Sequence, residues 1–426
     1  MKTNYLLKSA FIIALCCFAF QLNAENLING INYNIIDDGA AVEVAPLPKD
    51  GEDDVRYDLA EITIPATVEI DGTTYPVKKI GDNALRNNNN LVSLTLPEGL
   101  EVIGNSSLAE CESLPSLVVP STVKSIEDWS FYGCFALESI NIPDGITAIT
   151  EHTFQNTGLK SVVLPESVTS LKVCAFQDAK DLASINLENI REIIDWSMYG
   201  TAITSAVLTD VERIGNVSFG RIPTLISVEL NNIGEIADWA FQDCTNLESL
   251  KMSDVEVINT GAFSGCSSLT EVEIPNSVVF INGWAFEKTG ITKVYASWAD
   301  PEEDVVIDEN AFGADEGKAD FKWYVPESVY WDWDDFFMGY LVELDERASL
   351  NSLSFDNSAA YYTQGALSLN NLNGYQITVY SVDGKAITHL DVVGDAVQLP
   401  ISLQSGVYML QAVKNAERGT VKFIVR

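Results

Sequence analysis

This chain of 426 residues carries 61 acidic side chains against 25 basic ones, a formal net charge of −36. Such a surface repels nucleic acid and anionic lipid, which excludes partners of those kinds. The charge suits solubility in an exported protein, and it would also attract divalent cations or a basic patch on a partner. The length allows two or three domains, and 47% hydrophobic residues supply material for their cores.

Residues 1–24 read as a secretory signal peptide. Lys2 and Lys8 supply positive charge, residues 10–20 are almost all apolar, and Leu22-Asn-Ala24 resembles a cleavage site. The apolar run is too short for a spanning helix, and no other segment is long enough to cross a bilayer. Cys16 and Cys17 raise a lipoprotein reading that Leu15 opposes, because a small residue before the cysteine is usual. Removal of the segment loses two lysines and no acids, so the charge becomes 23 − 61 = −38.

Residues 25–77 read as a cap. Ile31-Asn-Tyr-Asn-Ile35 alternates, Asp37-Asp-Gly39 turns, and Ala41-Val-Glu-Val44 follows. A charged loop, Pro48 to Asp54, leads to Ile62-Thr-Ile-Pro65, which imitates the strand of the repeats that come next. A terminal coil needs a polar outer face, and this stretch supplies one.

From Ile80 a phrase recurs eleven times, as in Ile80-Gly-Asp-Asn-Ala-Leu85, Ile126-Glu-Asp-Trp-Ser-Phe131 and Ile236-Ala-Asp-Trp-Ala-Phe241. Its closing apolar residue falls at 85, 108, 131, 154, 176, 198, 219, 241, 263, 286 and 312, in steps of 21 to 23 and a last step of 26. A fixed period of this size predicts a solenoid. Five residues earlier stands Ile or Leu, and one residue earlier stands Ala, Ser or Thr, which suggests a corner where backbones pass closely. An alternating pair follows each phrase, such as Leu94-Thr-Leu96 or Val272-Glu-Ile274, with the period of a strand buried on one face. Pro97, Pro120, Pro143, Pro165 and Pro275 end that strand, since proline cannot continue the ladder. In the middle coils Glu188, Thr209, Asn231 and Ser253 replace it, and the spacing shortens by one residue. Stacked coils would bury Ile on Ile and Phe on Phe, each large side chain contributing roughly 1.5–3 kcal/mol. Eleven coils at about 4.8 Å make a stack on the order of 50 Å long.

Outward positions carry the candidate binding residues. Ser recurs from Ser93 to Ser249 immediately before the first inward residue, then yields to Glu271 and Lys293. Small polar residues suit a crowded face. Between the two inward residues the chain varies freely: Thr95, Val118, Asn141, Val163, Asn186, Val207, Glu229, Lys251, Glu273 and Tyr295. Variation on a fixed scaffold fits a recognition surface and equally an unconstrained one. Two residues before the Phe position stand Trp129, His152, Trp196, Trp239 and Trp284. These rings either stack on sugars or grip a partner, or each lies over the next coil and shields the core. Cys111, Cys134, Cys244 and Cys266 share one column, and Cys174 is the fifth cysteine after the leader. Stacked buried thiols explain the column; bridges Cys111–Cys134 and Cys244–Cys266, on adjacent coils, are the alternative. No histidine accompanies them, which argues against zinc.

The repeat resembles the BspA-like leucine-rich repeat of bacterial surface proteins. Gly265-Cys-Ser-Ser-Leu269 through Glu273-Ile-Pro275 carries the likeness most closely. It covers about residues 27 to 345 and departs in the middle, where Met198 replaces Phe and those coils are free to curve differently. The resemblance implies a leucine-rich repeat solenoid over residues 78–346 and adhesion to extracellular-matrix proteins. Trp323-Tyr-Val-Pro-Glu-Ser328, Tyr330-Trp-Asp-Trp-Asp-Asp-Phe-Phe337 and Leu341-Val-Glu-Leu344 resemble the family's closing coil. Asp332, Asp334 and Asp335 do not form an EF-hand loop.

From Ser349 the period stops, with a polar linker near 351–358. Ile377-Thr-Val-Tyr380, Ala386 to Leu390, Gly406-Val-Tyr-Met-Leu410 and Val421-Lys-Phe-Ile-Val425 read as strands, and Asp383-Gly384 as a hairpin turn. A small β-sandwich over residues 347–426 fits. Val379-Tyr-Ser-Val-Asp-Gly-Lys385, Leu403-Gln-Ser-Gly-Val-Tyr408 and the basic end at Arg426 resemble the C-terminal sorting domain of the type IX secretion system. That resemblance implies handling by outer-membrane secretion machinery.

No catalytic constellation is visible. His152 and His389 fall in different segments, no Gly-x-Ser-x-Gly elbow occurs, and Gly313-Ala-Asp-Glu-Gly-Lys318 has neither the spacing nor the Ser/Thr of a phosphate loop. The carboxylates form no pattern of pairs that glycoside hydrolysis would need. The expectation is a secreted or outer-membrane surface protein, with no enzyme activity, cofactor or metal. It binds an extracellular protein of host matrix or bacterial surface; the alternatives are a glycan held by the Trp column, or a structural surface-layer role.

Overall fold

Each repeat closes into a coil with three hydrogen-bonded sides. The computed structural model describes residues 26–48 and 56–313. Beyond these it describes 321–326, 333, 336–338, 340–345, 359–363, 366–370, 372–381, 385–394, 396–401, 403, 406–414 and 417–425. The signal peptide, Asp332, Asp334, Asp335, the 351–358 linker, the Asp383-Gly384 turn and Arg426 lie outside the described residues, as does all but Gly313 of the phosphate-loop echo. The described residues fall into two compact units. The first runs to Leu269 and adds Ile281–Thr289 and residues from 310 to 313; the second holds Thr270–Phe280, Gly290–Glu309 and the residues from 321 on.

In the first unit, one side of the coil is the alternating strand. Its inward residues pair in parallel from coil to coil: Ile62 with Leu94, Leu117 with Ile140, Val162 with Ile185. Proline keeps the strand short in the early coils, and Ser184–Ile185, which pairs with Ser161–Val162, stays at two residues although Glu188 stands in place of proline. Ser93–Thr95, Ser116–Leu117, Ser139–Ile140 and Ser161–Val162 have two or three residues and are followed by a proline, which has no N–H to donate. Ser205–Thr209, Ser227–Asn231 and Ser249–Ser253, where Thr209, Asn231 and Ser253 replace it, run to five residues and make a continuous three-stranded sheet.

The second side is a row of two-residue strands built on the Ile column. Ile80 pairs with Ile103 and Ile103 with Ile126; further on, Ile149, Leu171, Ile193, Ile214, Ile236 and Ile258 pair in turn. At the break between them the Thr150 hydroxyl donates to the Ile126 carbonyl at 3.1 Å, in place of the backbone N–H that Glu127 gives to Ile103 at 2.9 Å.

The third side has no strand, yet its backbone is paired. The N–H of each Phe-position residue donates to the carbonyl of the small residue in the next coil, as from Phe131 to Thr153 (3.1 Å), Phe219 to Ala240 (2.8 Å) and Phe263 to Ala285 (2.8 Å). The small residues at these carbonyls are buried, as Ser130, Thr153, Ala240 and Ala285 are, which accounts for the Ala/Ser/Thr column. The residues two before and two after also donate across the gap, as Trp239 does to Thr260 and Asp243 to Ser264. In ten successive coils both of these residues are left-handed, from Asn83 and Asn87 to Trp284 and Lys288.

Inside, the rings lie on one another. Phe131, Phe154 and Phe176 are stacked with centroids 5.5 and 5.3 Å apart, and Phe219, Phe241, Phe263, Phe286 and Phe312 continue at 5.1–5.5 Å, none tilted by more than 15°. Met198, fully buried, interrupts the series. The cap joins the second ladder through Ala41–Ala45, whose Val44 pairs with Ile80. Glu61–Thr63 behaves as a repeat strand, as the sequence implied.

In the second unit, Glu271–Ile274, Lys293–Ala296, Lys322–Val325 and Tyr340–Leu344 pair in parallel. Buried Trp298, Trp323 and Trp333 pack there, with Trp298 Nε1 donating to Val278 O at 2.9 Å and Trp333 Nε1 to Trp298 O at 3.1 Å. The chain then forms two antiparallel sheets. Ala366–Asn370 lies between Ala359–Thr363 and Ala396–Pro400; Gln376–Ser381 and Gly406–Lys414 lie between Ala386–Asp391 and Glu417–Val425. Leu367, Leu369, Ile377, Val379, Leu410 and Ala412 share one core between the sheets. The strands at 359–363, 366–370 and 396–400 were not anticipated, because short runs such as Ala-Leu-Ser-Leu give too little alternation to separate a strand from a loop.

Candidate functional site

The outward positions of the first ladder do not form one uniform surface. Val118, Val163 and Val207 stand 79%, 78% and 53% exposed. Asn141 and Asn186, between them, are engaged. Asn141 Oδ1 accepts from Val119 N at 2.8 Å and its Nδ2 donates to Val119 O at 2.9 Å; Asn186 does the same to Leu164 at 2.7 and 2.9 Å. Each side-chain amide extends a strand pair cut short by proline. Glu229 accepts from Asn231 Nδ2 at 3.1 Å, while Lys251 and Glu273 are exposed. Tyr295, expected to face outward, is only 8% exposed, and its ring packs 5.3 Å from Tyr324 on the adjacent strand.

The aromatic column runs along the left-handed corner. Trp129, His152, Trp196, Trp239 and Trp284 all have φ between 56° and 62°, and that backbone conformation turns their rings away from the core. Trp129 stacks on His152 with centroids 3.7 Å apart. His152 Nδ1 is 2.6 Å from Gln155 Oε1, and Gln155 Nε2 donates to Gln177 at 3.1 Å. Trp239 lies over Gly261 of the next coil. Trp196 and Trp284 are 37% and 43% exposed. From Trp196 onward indoles alternate with smaller residues, Val217 and Gly261, so consecutive indoles sit two coils apart, about 10 Å at strand spacing. Tyr132 and Tyr199 add tilted rings 5.1 and 4.9 Å from Trp129 and Trp196.

Asp128 and Asp238 stand in phrases quoted from the sequence, but neither they nor Asp195, beside Trp196, were singled out there. Asp128, Asp195 and Asp238 each accept, through Oδ1, the N–H of the next coil, at Glu151 (3.1 Å), Asn216 (2.9 Å) and Thr260 (3.1 Å). The recurring Asp-Trp dipeptide was the available signal. Nearby, an open groove of about 340 Å³ is lined by Glu212, Arg213, Ile214, Asn216, Glu235, Ala237, Asp238 and Asn259. Among its acids, Glu235 accepts from Asn259 Nδ2 at 2.5 Å and one oxygen of Asp238 accepts from Thr260 N. The lining is polar and charged, and no base stands beside a nucleophile among these residues.

The five described cysteines are free thiols. Cys111, Cys134, Cys244 and Cys266 donate to the carbonyls of Leu85, Leu108, Phe219 and Phe241 in the preceding coil, at 3.1–3.3 Å. Burial pushes Cys111 and Cys244 up to about 12 and Cys134 and Cys266 well above the ordinary thiol value. The adjacent-coil bridges considered from sequence are not formed; each of these four Sγ atoms donates to a carbonyl instead. Among the described residues no group of His, Cys, Asp and Glu is arranged to hold a metal, and no helix is long and apolar enough to cross a membrane.

Compared with known families, residues 78–204 and 192–315 match the BspA type leucine rich repeat region. No curated protein matches the sequence. Similar solved structures include a leucine-rich repeat protein from Bacteroides ovatus, with 20% identity over 74% of this chain and 98% of that one and a TM-score of 0.45. A leucine rich cell surface protein from Faecalibacterium prausnitzii has 21% identity over 70% and 93%, with a TM-score of 0.39. The pneumococcal vaccine antigen PcpA has 14% identity over 75% and 98%, also at 0.39.

Proposed function

Because this chain belongs to the BspA-type leucine-rich repeat proteins, we propose that it is an exported, surface-displayed binding protein that adheres to a protein of host matrix or of another bacterial surface. The observation that carries the reading is the contrast between frame and face. Phe, Ile and small columns repeat in every coil and are buried or hydrogen-bonded, while outward positions pass from Val118 to Glu229 to Lys251 without a rule. A rigid stack with freely varied outer side chains is how repeat proteins present extended binding surfaces. Binding of the full chain to a panel of matrix and bacterial surface proteins tests it, and the absence of any protein ligand would sink it.

The same proposal includes the domain plan: residues 1–24 a signal peptide, 25–77 a cap, 78–346 the repeats with their closing coil, and 347–426 a sorting domain of the type IX kind. The two C-terminal sheets with a core of their own support the last assignment. Intact-mass measurement of protein from its native cell surface reads both ends at once. A second reading, glycan binding, draws support from the exposed rings of Trp196 and Trp284. A structural surface-layer role would appear as self-assembly without a ligand.

A further inference from the structure

Resting on the protein-binding reading, we infer that the aromatic corner of the solenoid is the docking site and that it takes a Lys- and Arg-rich segment of the partner. The first ground is the setting of the indoles. The left-handed backbone at Trp129, Trp196, Trp239 and Trp284 holds them outward in one file, and Trp196 and Trp284 keep 37% and 43% of their surface in water. The second ground is charge. Asp128 and Glu151 flank the Trp129–His152 stack, and Asp238 precedes Trp239. Among the described residues these carboxylates have no ion-pair partner, whereas Asp195, Asp243 and Glu287 are paired with Arg213, Arg221 and Lys288.

An indole face attracts a cation, most of all a guanidinium, and an unpaired carboxylate beside it attracts the same group. Backbone bonds fix one oxygen of Asp128 and of Asp238 and leave the second free. A net charge of −36 draws a basic segment from a distance and repels an acidic one. Indoles about 10 Å apart match one turn of a polyproline-II-like chain, about three residues at roughly 3.1 Å each, so a basic segment in that conformation can lay every third side chain on successive rings.

The test measures binding of the full chain to fluorescein-labelled nona-arginine, with a neutral Gly/Ser peptide and neutral oligosaccharides beside it. Trp196→Ala with Trp284→Ala removes the two most exposed rings. Asp128→Asn with Asp238→Asn removes charge and keeps each oxygen that accepts the next coil's N–H. Glu98→Gln with Glu166→Gln removes the same charge away from the corner. Circular dichroism establishes that each variant is folded.

The ring pair and the Asp pair are each expected to raise the peptide Kd by roughly five- to tenfold, the Glu pair by less than about twofold, and binding weakens as salt rises. Equal losses from the Asp and Glu pairs, or none from the ring pair, overturn the inference. So does oligosaccharide binding that the ring pair abolishes while peptide binding is untouched, which assigns the corner to glycans. A matrix protein bound equally by wild type and both corner variants overturns the site and leaves the protein-binding reading standing. Failure of the wild type to bind any protein overturns that reading itself.

Discussion

The indole of Trp239 covers Gly261 of the next coil so closely that a Cβ added at Gly261 would overlap ring atoms Cε3, Cζ3 and Cδ2. Gly261 also has φ of +64°, a left-handed conformation that disfavours a side chain. Gly261→Ala therefore combines backbone strain with displacement of the ring. The expected loss of stability is about 1–2 kcal/mol for the strain alone, and more with the clash. Urea unfolding measures the loss, and a red shift in tryptophan emission reports that Trp239 has moved into water. Unchanged stability and emission would mean that the ring has room to spare.

Asn141 and Asn186 were candidates for ligand contact, and their amides are committed to the preceding coil. Asn141→Ala strips both partners from the half-buried backbone of Val119. Each lost bond costs roughly 0.5–1.5 kcal/mol, so the variant should lose about 1–3 kcal/mol. Partner affinity should not change once the protein is folded. A drop in affinity at constant stability would return Asn141 to the binding face.

The fold was legible because its signal is repeated. Eleven copies fix the Phe and Ile columns, and Phe131, Phe154 and Phe241 lie in the stacked core as their spacing requires. The third side of the coil was not legible. Its ladder is made by left-handed residues as unlike as Trp129, Val217 and Lys288, and no residue type announces that geometry. The binding face was half legible. The Trp file could be read from spacing, but Tyr295 reads as outward by alternation and is covered, and the two Asn positions read as free surface although they serve the frame. Alternation says which way a side chain points; it does not say what else arrives there.

The Phe stack sets the cohesion between coils. Phe241 is fully buried between Phe219 and Phe263, with ring centroids 5.1 and 5.3 Å away. Phe241→Ala removes both contacts and leaves a cavity that hydrogen-bonded backbones cannot close, at a cost of about 3–5 kcal/mol. Phe241→Met should cost less, since Met198 occupies this column in another coil and is fully buried. Chemical denaturation of the two variants gives the ranking, and a Met variant as damaged as the Ala variant would show that ring stacking itself is required.

The buried thiols should be inert while the protein is folded. With Cys111 and Cys244 pushed up to about 12 by burial, their thiolate fraction at pH 8 is on the order of one in ten thousand. A disulfide-exchange reagent should find these five thiols almost unreactive in the native protein and all five reactive after unfolding. Fast native reaction, or a mass lower by the hydrogens of a bridge, would contradict the carbonyl-bound arrangement.

Acid should weaken the N-terminal coils through Glu101. Its carboxylate accepts from Lys124 at 2.8 Å and from Lys78 at 2.7 Å, bridging the coils on either side, and these hydrogen bonds and charges hold its pKa down to about 2 against an ordinary 4.5. A lowered folded-state pKa stabilises the fold above the unfolded value. The contribution is full above about pH 4.5 and fades as pH falls toward 2. Glu101→Gln should thus lower Tm at pH 7 and make little difference at pH 2, where the carboxylate is about half protonated. Because the three side chains are partly in water, added salt should narrow the gap at pH 7. A Tm difference that persisted undiminished to pH 2 would show that packing of the Glu101 stem, rather than its charge, links these coils.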